Sequence, residues 1–335
     1  MTSHAEFTEA STATEVAKAF SNQIKDRHIV ITGVSKNGIG ETTAHALAAH
    51  KPALLILASR TPAKLSAVAA ELAALHPHTP VKTVVLDLAS QPSIRRAASE
   101  ILALTPRIDI LINNAGLTTA ARETAPDGTE LQFAANHVGH FLLTNLVGGA
   151  LAAGARVVNV ASEGHRFSPL RFSDYNFVKG ASVPAAEQGP PLDAFGDYPA
   201  AQEVDGYVAL RGYGQSKTAN VLFSVGLNRR LGGRGVVSYA VHPGAIVTEL
   251  SRDVTPDGGR AVEDLFRKVG MFIKNLDQGG ATTLVAALDP ALNDTKNGIY
   301  LSDCQFLAAE PYAIDETNAD KLWTLTEELV GQKFI

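Results

Sequence analysis

Seven short apolar runs punctuate this chain: "HIVITG", "ALLILASR", "VKTVVLDL", "IDILINNAG", "ARVVNVAS", "VVSYAVHPG" and "GIYLS". Between them lie Ala/Leu-rich stretches with a helical pattern, among them "ETTAHALAAH" and "PAKLSAVAAELAALH". The runs are apolar nearly throughout, as expected of strands covered on both faces. Strands that alternate with helices in this way build a parallel sheet from βαβ units. No repeat and no linker breaks the 335 residues, so the expected organisation is one α/β domain with a sizeable core.

Composition removes several classes of function. The net charge is −5 and no basic stripe is present, which argues against nucleic acid as a partner. Cys304 is the only cysteine, so no intrachain disulfide can form and nothing points to secretion. The opening "MTSHAEFTEASTATEVAKAF" lacks the basic and apolar regions of a signal peptide. Runs such as "ALLILA" fall far short of the ~20 residues a membrane-spanning helix needs. The expectation is a soluble, cytoplasmic protein with no membrane span.

Some regions depart from the alternation. Residues 1–25 read as an N-terminal extension and residues 171–211 as an inserted loop rich in Pro, Gly and acids. From 172 to 210, six acids (Asp174, Glu187, Asp193, Asp197, Glu203, Asp205) face one base, Lys179. Residues 180–208 are expected to form a mobile acidic flap, with too few large apolar residues to anchor a core. Phe195, Tyr198 and Tyr207 would dock on a bound ligand. The tail, 316–330, reads as an amphipathic helix with Ala319, Leu322, Leu325 and Leu329 on one face.

The first run leads into "TGVSKNGIGETTAHALAAH". Gly33, Gly38 and Gly40 fall where a strand must turn sharply into a helix whose free N–H groups can hold a phosphate. A dinucleotide site of this kind usually carries an acid about 20 residues further on, for the ribose 2′-hydroxyl. Here Ser59 and Arg60 end the second run instead, and Lys36 stands in the glycine loop. A carboxylate would repel a 2′-phosphate, whereas a guanidinium can grip it bidentately. The expected cofactor is therefore NADP(H) rather than NAD(H).

Further motifs end the later runs: "LDLA" at Asp87, "NNAG" from Asn113 to Gly116, "VVNVAS" closing on Ser162, then "YGQSK" and "HPGAIVT". With the glycine turn, this ordered set resembles the short-chain dehydrogenase/reductase family, from about residue 27 to 305. "NHVGHFLLTNL", "YGQSKTANVLF" and "KLWTLTEELVG" are most similar to its retinol-dehydrogenase-like branch. The resemblance implies a doubly wound, mostly parallel seven-stranded sheet of Rossmann type, with the cofactor across the carboxyl ends of the strands. It also implies a catalytic set of Asn136, Ser162, Tyr213 and Lys217. Around the phosphates it implies the turn containing Gly33, Ser35, Lys36, Gly38, Ile39 and Gly40, with Lys36 and Arg60 on the 2′-phosphate. Asp87 and Leu88 would border the adenine, and Asn114, Ala115 and Gly116 would line the cofactor's ribose, which Lys217 also binds. Pro243, Gly244, Ile246 and Thr248 would edge the nicotinamide. Residues 245–275 would form a substrate lid, carrying Val262, Leu265, Phe266, Val269 and Ile273 at helical spacing. One departure stands out. The family usually places three residues between its first two glycines, and here there are four, Val34 to Asn37.

The residue types suit hydride transfer. A carbonyl that gains a hydride also needs a proton for the developing alkoxide. Tyrosine, with an unperturbed pKa of ~10, is a poor base near neutrality. A lysine ammonium one helical turn away, and the cationic ring of an oxidised nicotinamide, would both favour the phenolate and lower that pKa. Ser162 can hold the substrate oxygen, and Asn136 can hold a water that passes protons onward.

Two tyrosines compete for this role, since "YNFVK" (Tyr175 to Lys179) shares its spacing with "YGQSK" (Tyr213 to Lys217). Tyr175 lies thirteen residues after Ser162 and Tyr213 fifty-one, and the short interval is the usual one in the family. Context decides otherwise. "TANVLFSVGLNRRL" after Lys217 continues a long helical period, whereas Gly180 and Pro184 follow Lys179. Tyr213 is therefore the expected acid/base. His137 and His140 at i, i+3 have no third metal ligand near them in sequence and read as core or surface residues; no metal is expected. The reading is an oxidoreductase for an alcohol/carbonyl pair on an apolar small molecule. A non-redox proton-transfer enzyme and a catalytically silent NADP(H) sensor stay open, as does a homo-oligomer.

Overall fold

Ile29 and Ile31 of the first strand enter one apolar core and Val30 enters another, because successive side chains of a strand point to opposite faces. The central runs are used in this two-sided manner, whereas the third forms a strand, Val81–Val85, at the sheet edge that buries only Val84 fully. The computed structural model describes residues 1–179, 182–196, 198–248, 250, 260–268 and 270–334. Asp197 in the acid-rich stretch, Gly180 after Lys179, and Val269 of the expected lid lie outside the described residues.

In chain order the strands are β1 (His28–Thr32), β2 (Leu54–Ser59), β3 (Val81–Val85), β4 (Ile108–Asn113), β5 (Leu151–Val160), β6 (Glu203–Val204), β7 (Tyr207–Val208), β8 (Val237–His242), β9 (Tyr300–Ser302) and β10 (Gln305–Phe306). The main sheet has the order β10-β9-β8-β5-β4-β1-β2-β3 and is parallel except for β10, which pairs antiparallel with β9. The chain winds outward from β1 to β3, then returns to place β4 beside β1. That reversal opens a crevice at the carboxyl ends of the two central strands. The expected seven strands are all present, and the sheet has an eighth. β10 is two residues long, too short to register as an apolar run. Its turn uses Asp303 and Cys304, both left-handed (φ 50° and 66°), as a tight hairpin requires.

The helices are α1 (Ala13–Ala19), α2 (Ser21–Ile24), α3 (Ile39–Ala48), α4 (Pro62–Leu75), α5 (Gln91–Leu104), α6 (Leu131–Phe133), α7 (Gly139–Leu146), α8 (Ala209–Leu231), α9 (Arg260–Lys268), α10 (Leu276–Leu288), α11 (Pro311–Ile314) and α12 (Glu316–Val330). Between α6 and α7 the helix widens into a π turn, Ala134–Val138. Helices α1, α3, α4 and α10 cover one face of the sheet, and α5, α7, α8 and α12 the other. Residues 1–25 prove to be part of this packing: α1, capped by Thr12 and Glu15, buries Ala13, Val16 and Ala17. Helix α12 has the expected bounds, but its inward face turns on Ala319, Leu322, Trp323 and Val330, with Leu325 and Leu329 half-buried. No helix among the described residues is long and apolar enough to cross a membrane.

The acid-rich stretch differs most from expectation. It was expected to lack an anchor, yet Phe177, Tyr207, Ala209 and Leu210 are buried there and Leu192, Phe195 and Tyr198 pack against them. Tyr207 is a structural anchor and not a ligand-docking ring. Its hydroxyl donates to Glu130 Oε1 (2.8 Å) and accepts from Gln132 Nε2 (2.7 Å). The acids are partly compensated as well, since Arg171 pairs with Asp174 (2.9 Å) and Ser173 holds Glu187 (2.5 Å). Sequence alone hid these partners because Glu130 and Gln132 precede Tyr207 by more than seventy residues.

His137 and His140 are core residues. His137 is stacked on Phe133 and its Nε2 lies 3.0 Å from Thr326 Oγ1; His140 Nε2 lies 2.8 Å from Thr32 Oγ1. Burial holds their pKa values down, to about 3 and about 4. The folded protein therefore resists protonation that the unfolded chain, with histidines near ~6.5, accepts. Stability should be undiminished above that value and fall as pH drops toward the folded pKa values, by up to about 1.4 kcal/mol per pH unit per histidine. Melting temperatures from pH 7.5 to 5 should decline, and His137→Gln should flatten the decline; equal slopes would discard this origin. Tyr207→Phe should destabilise by about 1–3 kcal/mol, because Glu130 and Gln132 lose a buried partner. Chemical denaturation reads that change directly.

Candidate active site

Strand β1 ends at Gly33, whose φ of +73° suits glycine. A Cβ there would lie 2.5 Å from Ala115 Cα, so no larger residue lets β1 and β4 approach this closely. Gly40 is confined in the same way, with a hypothetical Cβ 2.6 Å from Gly33 O. The additional residue of the turn is absorbed by Asn37, which is left-handed (φ 59°) and donates its N–H to Glu41 Oε2 (2.7 Å). Gly38 then caps α3 with no side-chain acceptor, leaving the helix's first N–H groups directed at the crevice.

That crevice is a cleft of about 260 Å³. Its walls include Ser35, Gly38 and Ile39 from the turn and Ser59 and Arg60 from the end of β2. Leu86 and Leu88 form another side, and Asn114, Ala115 and Gly116 continue it after β4. Arg60 is exposed and has no ion-pair partner among the described residues. Two expected contacts lie elsewhere. Lys36 turns away from the cleft to Glu41 Oε1 (3.0 Å) and Glu71, because these carboxylates on α3 and α4 offer the nearest countercharge. Asp87 folds back to accept from Ala89 N (3.0 Å), leaving Leu86 and Leu88 to face the cleft.

The four expected catalytic residues converge at one end. Ser162 follows β5 and accepts from Gly164 N (2.9 Å), and its hydroxyl stands beside Tyr213, whose pKa it lowers. Helix α8 presents Tyr213 and, one turn on, Lys217, whose Nζ lies 5.5 Å from the Tyr213 ring centre. Lys217 is buried and donates to Val160 O (2.9 Å), the last carbonyl of β5. Asn136 sits in the π turn. Its Oδ1 accepts from Leu117 N (2.8 Å), while its Nδ2 donates to Leu117 O (3.0 Å) and Ser216 Oγ (2.9 Å). The amide thus clamps the loop after β4 onto α8, and both its ends are engaged within the protein.

Electrostatics also depart from the simple picture. Burial raises the Tyr213 pKa above its ordinary value, and the Ser162 hydrogen bond offsets only part of this. Burial likewise draws Lys217 down to about 8. Desolvation therefore dominates at Tyr213, in place of the expected lowering by its lysine.

A second cavity, about 410 Å³ and mostly apolar, opens on the other side of Tyr213. Phe167, Phe195, Leu210, Leu265, Phe266 and Met271 form much of its wall, and Gly244 and Ile246 border it. Ile39, Thr118, Tyr213, Pro243 and Thr248 line both cavities. Thr118 escaped the sequence reading, although it lies just beyond "NNAG". The rival Tyr175 lines neither cavity. Its ring packs 6.0 Å from Phe133, its carbonyl accepts from Gln215, and Lys179 caps Ser173 O (2.9 Å).

A model of the short chain dehydrogenase family matches residues 27–186. Retinol dehydrogenase 12 of Mus musculus is 35% identical over 311 residues, 92% of this chain and 88% of that protein. Short-chain dehydrogenase TIC 32 A, chloroplastic, of Brassica napus is 35% identical over 333 residues, 96% and 93% of the two chains. A short chain dehydrogenase from Burkholderia cenocepacia J2315, solved in complex with NADP, superposes with a TM-score of 0.60 at 22% identity, covering 84% of this chain and 97% of that one. The last likeness is one of fold; the first two extend along nearly the whole sequence. Sheet order, crevice and relatives agree that this chain belongs to the short-chain dehydrogenase/reductase family of nicotinamide-dependent oxidoreductases, in its retinol-dehydrogenase-like branch.

Proposed function

We propose that this protein is an NADP(H)-dependent oxidoreductase that interconverts an alcohol and a carbonyl on an apolar small molecule. The observation that carries this reading is the position of Tyr213 on the wall shared by the cleft at the strand ends and the apolar cavity. A proton donor there reaches both a cofactor and a substrate.

The cleft fits the cofactor. The side-chain-free approach at Gly33 leaves room for a pyrophosphate against the start of α3, and the Arg60 guanidinium, without an ion-pair partner among the described residues, lines the cleft where an acid would favour NAD(H). When bound, the nicotinamide supplies or accepts the hydride. The chain's own groups handle the proton. Tyr213, kept neutral by burial, is ready to protonate a developing alkoxide, and Ser162 steadies the substrate oxygen. The Lys217 ammonium, one turn away, then stabilises the phenolate left behind. Asn136 acts as a positioning residue, fixing α8 against the loop after β4.

NADPH consumption with a panel of apolar ketones tests the reading. Tyr213→Phe should lower turnover by at least about 100-fold while leaving NADPH affinity nearly unchanged. Tyr175→Phe should keep most of the activity, and the opposite pattern would move the active site. Arg60→Asp should erase a preference for NADPH over NADH, seen by titrating both cofactors. Equal affinities in the parent protein would reject NADP(H) as the cofactor. Turnover of a substrate without net cofactor oxidation would point to the non-redox chemistry.

A further inference from the structure

The apolar cavity receives one wall from the acid-rich insertion, which contributes Phe195, Tyr198, Ala200 and Leu210. Tyr198 alone among these carries a polar group. Its backbone is fixed between two turns, accepting from Ala201 N (2.9 Å) and donating to Phe195 O (3.0 Å). Phe195 in turn sets its edge on Phe167, 4.9 Å away, and the small core around Phe177 and Tyr207 supports both. The ring is therefore presented by packed structure.

The hydroxyl of Tyr198 has no hydrogen-bond partner among the described residues, although the ring is half-buried in an apolar wall. Burial pushes its pKa up, to about 12, and Tyr213 on the same cavity wall adds to the rise. Tyr198 is thus a neutral donor throughout the working pH range. Nearby Glu163 and Arg166 do not compete for this role. The Glu163 carboxylate takes Arg166 Nε (2.5 Å) and the Tyr300 hydroxyl (2.8 Å), and Arg166 also holds Glu310 (2.8 Å).

We propose that Tyr198 is a specificity-determining residue whose hydroxyl bonds a second oxygen of the substrate, beside the carbon that reacts. The preferred substrates are then apolar compounds carrying a hydroxyl or carbonyl in addition to the reacting one. This rests on Tyr213 being the acid/base of the same cavity. A ligand without the second oxygen fills the apolar wall but leaves a phenol hydroxyl cut off from water, which costs affinity. A donor left unpaired in this way typically weakens binding by about tenfold or more.

The test compares 1-tetralone with its monohydroxylated derivatives. Binding to the NADP⁺-loaded protein is measured by calorimetry, so the result does not depend on turnover. At least one hydroxylated isomer should bind about tenfold tighter than 1-tetralone to the parent protein. Tyr198→Phe, which keeps the ring and removes the stranded hydroxyl, should abolish that isomer's advantage, with 1-tetralone bound at least as tightly as by the parent protein. The same split should appear in KM, with kcat little altered. No hydroxylated isomer favoured by the parent, or a preference that survives in Tyr198→Phe, overturns the proposal. An equal loss for all ligands also overturns it, because that marks a packing role. Failure of the underlying reading looks different: Tyr213→Phe would retain turnover while the tetralone preferences stood.

Discussion

The architecture of the site depends on the contact between Gly33 and Ala115, where the ends of β1 and β4 meet without an intervening side chain. Other contacts reinforce that closeness. Asn114 Nδ2 spans the gap to Thr32 O (2.9 Å) and Gly33 O (3.2 Å), and Ala115 N donates to Thr32 Oγ1 (3.1 Å). From Thr32 the contact continues through His140, whose Nδ1 lies 3.0 Å from Asn136 O, into the π turn. The glycine turn after β1, the loop after β4 and the clamp on α8 are thereby held by a single junction. Such buried polar groups are stable only when paired, so the junction tolerates little displacement.

A second buried ladder aligns α8 with the sheet. Asn113 Nδ2 donates to Asn159 Oδ1 (2.8 Å), and Asn159 Nδ2 donates to Ser224 Oγ (2.9 Å) and Ser238 Oγ (3.3 Å). Four elements, β4, β5, α8 and β8, meet there. Apolar packing alone would let a helix slide along a sheet by fractions of a turn. Specific polar partners select one register, and with it the direction in which Tyr213 points.

Much of this was legible in the sequence. Two-sided apolar runs identified the parallel strands, and the glycines, "NNAG" and the Tyr213–Lys217 pair marked the crevice, because backbone geometry and helical spacing are local properties. What escaped was set by distant partners. Lys36 answered to Glu71 on another helix, and Tyr207 to Glu130 and Gln132. The insertion looked coreless because its aromatic residues are scattered among prolines and glycines and converge only in three dimensions. The direction of the Tyr213 shift was missed for a related reason: spacing reveals a neighbouring charge but not the depth of burial.

The bond from Lys217 Nζ to Val160 O has a bearing on the separation that made the two tyrosines hard to tell apart. Ser162 stands two residues beyond Val160, so serine, lysine and tyrosine are all referenced to the same end of β5. Asn220 Nδ2 reaches that carbonyl as well (3.2 Å). Their mutual geometry is set by how α8 docks on the strand and owes nothing to the number of residues that connect them. The interval between serine and tyrosine is for that reason a permissive graft point. New walls for the apolar cavity can be spliced in there while Ser162, Tyr213 and Lys217 keep their places.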